Sequence, residues 1–300
     1  MSWPFFAACI NLRDACSGII CGNENMHRII IFLAFATTLL AQSHSHPRQL
    51  RQFGGDTGLV LIASARDGWA IVTDSAQVNA DGTVSRAEKL FPIGKKGAVA
   101  IAGNVSIQDP VGRPVREELD LVGMVKGWID SHPERSLDNA VHEITDLVSR
   151  KSDQFFSARD QGKQAGTFKF ALIFAGYANE RAVITGTRYF APTAKGKPPK
   201  EESINAAADP GSIFVFGPGS VATQLLTGRS TALRNFQSAE AIRNYRSSPP
   251  GFFTAEQLGQ VLSTILDATE SAQGKSSAGT AVAPPNKTAI ISKAQGFSWK

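Results

Sequence analysis

Two rhythms of apolar residues alternate along this chain, short β-branched runs and helical stripes, and their order predicts the elements. The run from Thr57 to Ala65, the turn residues Ala65-Arg66-Asp67-Gly68 and the run from Trp69 to Thr73 predict a hairpin. Lys89-Leu90-Phe91-Pro92-Ile93, the turn Gly94-Lys95-Lys96-Gly97 and Ala98 to Gly103 predict a second one. Leu121, Val122, Val125, Trp128 and Ile129 then recur at helical spacing, and Leu137, Val141, Ile144 and Val148 do so again after a Ser136 cap. Phe168 to Tyr177 and Arg181 to Phe190 predict another strand pair, followed by a Pro/Lys-rich loop through Pro210. Ile213 to Phe216 reads as a strand and Val221 to Leu226 as a short helix. Leu258, Val261, Leu262, Ile265 and Leu266 predict a last helix behind a Thr254/Gln257 capping box, and Lys287 to Ser292 a final strand.

Strands, two helices, strands, a helix and a strand do not alternate as a doubly wound parallel sheet does. The order predicts an α+β protein, a four-layer αββα sandwich of two antiparallel sheets, because the near-continuous apolar runs call for cover on both faces of each sheet.

The chain has 300 residues, of which 42% are hydrophobic and 19% charged, which excludes a disordered or fibrous protein. The formal net charge is +5, but the basic residues are scattered except around Lys195, Lys197 and Lys200. That cluster reads as a solvated loop, and no nucleic-acid partner is expected. All three cysteines, Cys9, Cys16 and Cys21, precede Met26, so neither a disulfide framework nor a thiolate metal site supports the body. His44, His46, His132 and His142 show no ligand spacing; no metal and no cofactor are expected.

From Met26 the chain has a charged start, an apolar run from Ile29 to Ala41 and a small-residue exit, the pattern of a secretory signal peptide cut after Ser43. The run is too short for a stable membrane anchor. Gly22-Asn23-Glu24-Asn25 calls for purine-rich codons, as a ribosome-binding site ahead of Met26 would. The expected organisation is therefore 1–25 as an untranslated or disordered extension, 26–43 as a signal, 44–56 as a leader and 57–300 as one domain, with export to a periplasm or the exterior. If 26–43 is no signal, the protein stays cytoplasmic.

An ordered set of segments carries a resemblance. Gly68-Trp69-Ala70-Ile71-Val72-Thr73-Asp74-Ser75, Lys89-Leu90-Phe91-Pro92-Ile93, Ala98 to Gly103, Gly217-Pro218-Gly219-Ser220 and Lys287 to Ser292 resemble, in that order, strands and turns of the proteasome β-type subunit family of the N-terminal-nucleophile hydrolase superfamily. The resemblance runs from Thr57 to the C-terminus by element order and is specific up to Gly103. It implies hydrolysis of a peptide or small amide by an N-terminal Thr freed by autolysis, whose own α-amine is the base. By the same resemblance Thr57 is the nucleophile, Lys89 the cation beside it, Asp74 the charge partner of Lys89, Ser220 the serine of the Gly-Ser turn, and a backbone N–H in a glycine turn the oxyanion donor. Assembly as a homo-oligomer without ATP coupling accompanies an exported subunit of this kind.

Three departures bear on this. An ungapped match back from Asp74 puts Gly58, not Thr57, at the nucleophile position. Asp56 precedes Thr57 where the family has Gly, and Asp74 and Lys89 stand one residue closer together. One residue of slack at Ser64 to Gly68 restores Thr57. Two hypotheses stay open: a Thr hydrolase, and a catalytically inactive scaffold or binding subunit. Plainer readings make Asp74 a turn former, Lys89 a surface lysine and Thr57 a strand opener. Asp56-Thr57-Gly58 also spells the aspartic-protease triplet, but neither an apolar strand before it nor a second copy accompanies it.

Overall fold

A computed structural model describes residues 50–55, 58–78, 83–108, 118–157, 159, 162–229, 233–249, 251–273 and 286–300. The expected signal, the three cysteines, His44, His46, Asp56 and Thr57 lie outside the described residues. In chain order the elements are strands β1 (Leu50–Gln52), β2 (Val60–Ser64), β3 (Gly68–Thr73), β4 (Ala76–Val78), β5 (Val84–Arg86), β6 (Leu90–Ile93), β7 (Gly97–Gly103), β8 (Ser106–Gln108) and β9 (Glu118–Asp120). Helices α1 (Leu121–Ser131) and α2 (Leu137–Ser157) follow, then β10 (Phe168–Ala178), β11 (Arg181–Phe190), β12 (Lys200–Ala206) and β13 (Ile213–Phe216). The chain continues through α3 (Ser220–Thr227), α4 (Arg234–Gln237), α5 (Glu240–Ser247) and α6 (Ala255–Gln273) to β14 (Lys287–Ser292) and β15 (Gly296–Trp299). The fold is thus mixed α+β. No helix of the described residues is long and apolar enough to cross a membrane.

Two sheets dominate, one of six strands in the order β1-β13-β2-β3-β14-β15 and one of five in the order β12-β11-β10-β7-β6. The second is wholly antiparallel, as expected. The first departs from that expectation at its edge, where β1 pairs with β13 in parallel. Two short ribbons, β4–β5 and β8–β9, complete the strands.

Strand periodicity sorts the apolar side chains. Val60, Ile62, Trp69 and Ile71 of the first sheet belong to one apolar cluster with Ala98, Ala100, Ala102, Ala171 and Ile173 of the second. Their neighbours Leu61, Ala63, Ala70 and Val72 turn the other way, toward Leu258, Val261, Leu262 and Ile265 of α6. Val99, Ile101, Leu172 and Phe174 do the same toward α1 and α2. The alanines of β7 and β10 leave room for Trp69, whose indole Nε1 donates to Gly176 O at 3.0 Å and ties the first sheet to β10. A Trp69→Phe chain loses this donor and strands a buried carbonyl, so urea denaturation should show a loss of about 1–3 kcal/mol.

Side chains cap the starts of two helices. Asp120 Oδ1 accepts from Gly123 N at 2.9 Å at the start of α1. The predicted capping box closes as drawn, Thr254 N donating to Gln257 Oε1 at 2.9 Å and Gln257 N to Thr254 Oγ1 at 3.3 Å. The loop expected through Pro210 is corrected in part: Lys200 to Ala206 extends the second sheet as an edge strand, its charged Lys200, Glu201 and Glu202 discouraging further pairing.

Candidate functional site

Four chain segments meet at one end of the sheets: Gly58 and Leu59 ahead of β2, Asp74 to Ala76 past β3, Lys89 ahead of β6, and Gly103 closing β7. Asp74 is held where β2 and β3 end together. Its backbone N donates to Leu59 O at 3.1 Å, and its Oδ1 accepts from Leu59 N at 3.1 Å. Lys89 Nζ lies 2.7 Å from the same Oδ1 and also donates to Ala76 O. Neither side chain of this pair has any solvent exposure.

The surface-lysine reading of Lys89 is thereby excluded, and the Asp74 carboxylate is committed to an ion pair. Burial pushes the Asp74 carboxyl above the usual carboxylate range, an effect that the Lys89 ammonium and the Leu59 N–H oppose. Burial likewise pulls Lys89 below an ordinary lysine, and Asp74 opposes that. The result is an ammonium that gives up its proton more readily than a solvated one, with Asp74 Oδ2 buried and without a hydrogen-bond partner among the described residues.

What stands against Lys89 is Gly58. Its φ is +65°, and a Cβ built there would lie 2.8 Å from both Gly103 N and Gly103 O and 2.9 Å from Lys89 Nζ. The fit admits no side chain. Its carbonyl packs onto the Gly217 turn, where a Cβ at position 217 would meet Gly58 O at 2.3 Å. Position 58 is fixed by the ladders on both sides of β2, Val60 pairing with Thr73 on β3 and with Phe216 on β13. Sliding β2 by one residue to bring Thr57 into this place would turn Val60 and Ile62 out of the cluster between the sheets and Leu61 into it. The strand pairing thus keeps Gly58 in the place beside Lys89 Nζ.

Ser220, the fourth predicted site residue, opens α3 three residues past Gly217 and is exposed, unlike Asp74 and Lys89. The structure brings Asp74 and Lys89 together with Gly58 and Gly103; Thr57 lies outside the described residues.

A cavity of about 270 Å³ opens beside the pair, lined by Thr73, Ser75, Arg86, Glu88 and Lys287 among others. Glu88 sits between two cations there, paired with Lys287 and with Lys126, the latter at 3.4 Å. Glu270 of α6 and Asn286 ahead of β14, which do not line this cavity, carry buried polar atoms that sequence reading missed. Glu270 Oε1 and Asn286 Oδ1 are buried without a partner among the described residues. Burial raises the Glu270 carboxyl, the Asn286 side chain opposes that, and the charges of Asp267 and Asp74 push it further up. A single glutamate on an amphipathic helix carries no sequence signal that could have marked it. Among the described residues, no three His, Cys, Asp or Glu side chains are grouped to hold a metal ion.

No protein-family model matches the chain, and no curated protein matches its sequence. Solved structures that it resembles include several titled Anbu, one of them as ancestral beta-subunit. Anbu from Yersinia bercovieri is 12% identical with a TM-score of 0.46, the match covering 80% of this chain and 86% of that one. The helical assembly of the Anbu complex from Pseudomonas aeruginosa is 13% identical with a TM-score of 0.46, over 81% of this chain and 85% of that one. At this distance the likeness assigns this chain neither an activity nor an assembly. The expected membership of the proteasome β-type subunit family is corrected by the same findings. No family model matches the segments that carried the resemblance, and element order with glycine turns is something a fold can impose without a family.

Proposed function

We propose that the uncut chain is a non-hydrolysing scaffold or binding subunit built as a four-layer αββα sandwich of the N-terminal-nucleophile type. The layering is supported by three apolar clusters, one shared by the two sheets and one between each sheet and its helices. Gly58 carries the functional reading. A hydroxyl nucleophile needs an adjacent base, and the residue beside Lys89 Nζ offers no hydroxyl and, while joined to its predecessor, no amine.

A threonine-type peptidase or amidohydrolase acting on a peptide or small amide is the second reading. The buried Asp74–Lys89 pair favours it, since two desolvated charges cost stability that a purely structural role could supply with apolar groups. On this reading a cut between Asp56 and Thr57 frees the Thr57 amine, Lys89 stabilises the deprotonated hydroxyl, and Gly103 N serves as oxyanion donor. Both readings keep 26–43 as an export signal, 44–56 as a leader and a homo-oligomer as the assembly.

N-terminal sequencing of the protein from its host, combined with peptide and amide hydrolysis assays, tests the proposal. The expected chain still carries residues upstream of Thr57 and shows no turnover. A chain beginning at Thr57 whose turnover disappears in a Thr57→Ala variant overturns the scaffold reading in favour of the hydrolase.

A further inference from the structure

Residues 50–55 are seated more firmly than a connecting segment requires. Leu50, Arg51 and Gln52 run parallel to Ile213, Phe214 and Val215, and Phe53 N donates to Val215 O at 2.8 Å. Side chains alternate as a true strand demands. Leu50 packs with the apolar cluster under α3 and α6, and Gln52 Oε1 accepts from Thr223 Oγ1 of α3 at 3.3 Å. The Gln52 amide lies over Gly219, where a Cβ would come within 2.7 Å of Nε2. Phe53 turns the other way and stacks on Phe216, with centroids 4.7 Å apart and planes 9° apart. Gly55 fits where a Cβ would stand 2.9 Å from the Phe168 ring and 3.2 Å from Gly217 Cα.

Every one of these partners lies far downstream in the chain, so none of the contacts depends on an intact bond between residues 56 and 57. An edge strand binds through its main-chain ladder and is selected through pockets for alternate side chains. Here a ladder, a stacked ring, an amide bond and a glycine-sized gap all select one sequence. Without β1, β13 would expose an unpaired edge to other chains.

We infer that the outer edge of β13, with Phe216, Gly219 and Phe168, is a strand-addition site for the segment Leu50–Gly55, which stays docked there as a separate peptide when the chain is cut between residues 56 and 57. A processed form is therefore a two-chain molecule, whichever reading of the Asp74–Lys89 site holds.

The full chain with a protease recognition sequence inserted between residues 56 and 57 provides the test. After cutting, the peptide ending at residue 56 should co-elute one to one with the body on size exclusion and come off only in denaturant. Once that peptide has been removed in denaturant and the body refolded, a fluorescent synthetic peptide of residues 44–56 should bind the emptied site and saturate it. Phe53→Ala and Gly55→Val versions should each bind at least about tenfold more weakly, which corresponds to 1.4 kcal/mol. A peptide that elutes apart from the body overturns the inference. So does equal binding of the native, Phe53→Ala and Gly55→Val peptides.

Discussion

Replacing Lys89 by Met is expected to cost about 3–5 kcal/mol of stability, because it leaves the Asp74 carboxylate buried without its counter-charge. That is a large share of the roughly 5–15 kcal/mol that holds an ordinary domain together. The Lys89→Met, Asp74→Asn double variant should recover most of the loss, since Asn keeps an oxygen for the Leu59 N–H and carries no charge. The sign of the pH dependence separates this cause from simple loss of packing. Burial already raises the Asp74 carboxyl, and removing the ammonium that opposes the shift raises it further. A folded pKa above the unfolded one means the folded state binds more protons, so its contribution is full below the unfolded pKa and disappears as pH rises through the folded one. Urea titrations of Lys89→Met should accordingly show it nearest to wild type in acid and weakest at neutral pH. A deficit independent of pH would mean that the site does not hold Asp74 as a charge.

The hairpins around Gly68 and Gly94 were legible because each pairs apolar runs across turn-forming residues, and both sheets grew from them. So were α1, α2 and α6, whose apolar stripes are buried against β7, β10, β2 and β3. What sequence hid was mostly edge structure. β1, β12 and β15 have three, seven and four residues; β1 takes a partner far along the chain, β13, while β12 and β15 lie beside the strands just before them. Three residues cannot display an alternation, and a run such as Lys200-Glu201-Glu202 reads as loop because an edge strand is polar for the same reason a loop is. The site was legible in part: Asp74 and Lys89 were named through a resemblance, while their complete burial was not foreseeable from any lysine's composition-based expectation. Gly58 was visible in the ungapped spacing, and its place beside Lys89 Nζ rests on the ladders of β2. Glu270 and Asn286 left no trace because burial of a polar atom depends on what packs over it.

Gly58→Ala is expected to destabilise the chain by about 2–4 kcal/mol, although it adds a single methyl group. About 1 kcal/mol or more comes from the backbone, since φ of +65° at this position is costly for a residue with a Cβ. A further 1–3 kcal/mol, roughly, comes from overpacking, because the methyl would stand 2.8 Å from the Gly103 backbone and 2.9 Å from Lys89 Nζ. Backbone cannot step aside as a long side chain can, and the Lys89 ammonium is tethered to both Asp74 and Ala76. Denaturation by urea, monitored by far-UV circular dichroism with the m-value checked for constancy, measures the loss. The same number bears on function. If Gly58→Ala is tolerated within about 0.5 kcal/mol, as an unremarkable surface substitution is, then position 58 has room for a side chain beside the ammonium. A nucleophile could then be accommodated there, and the case for a silent scaffold would lose its steric basis.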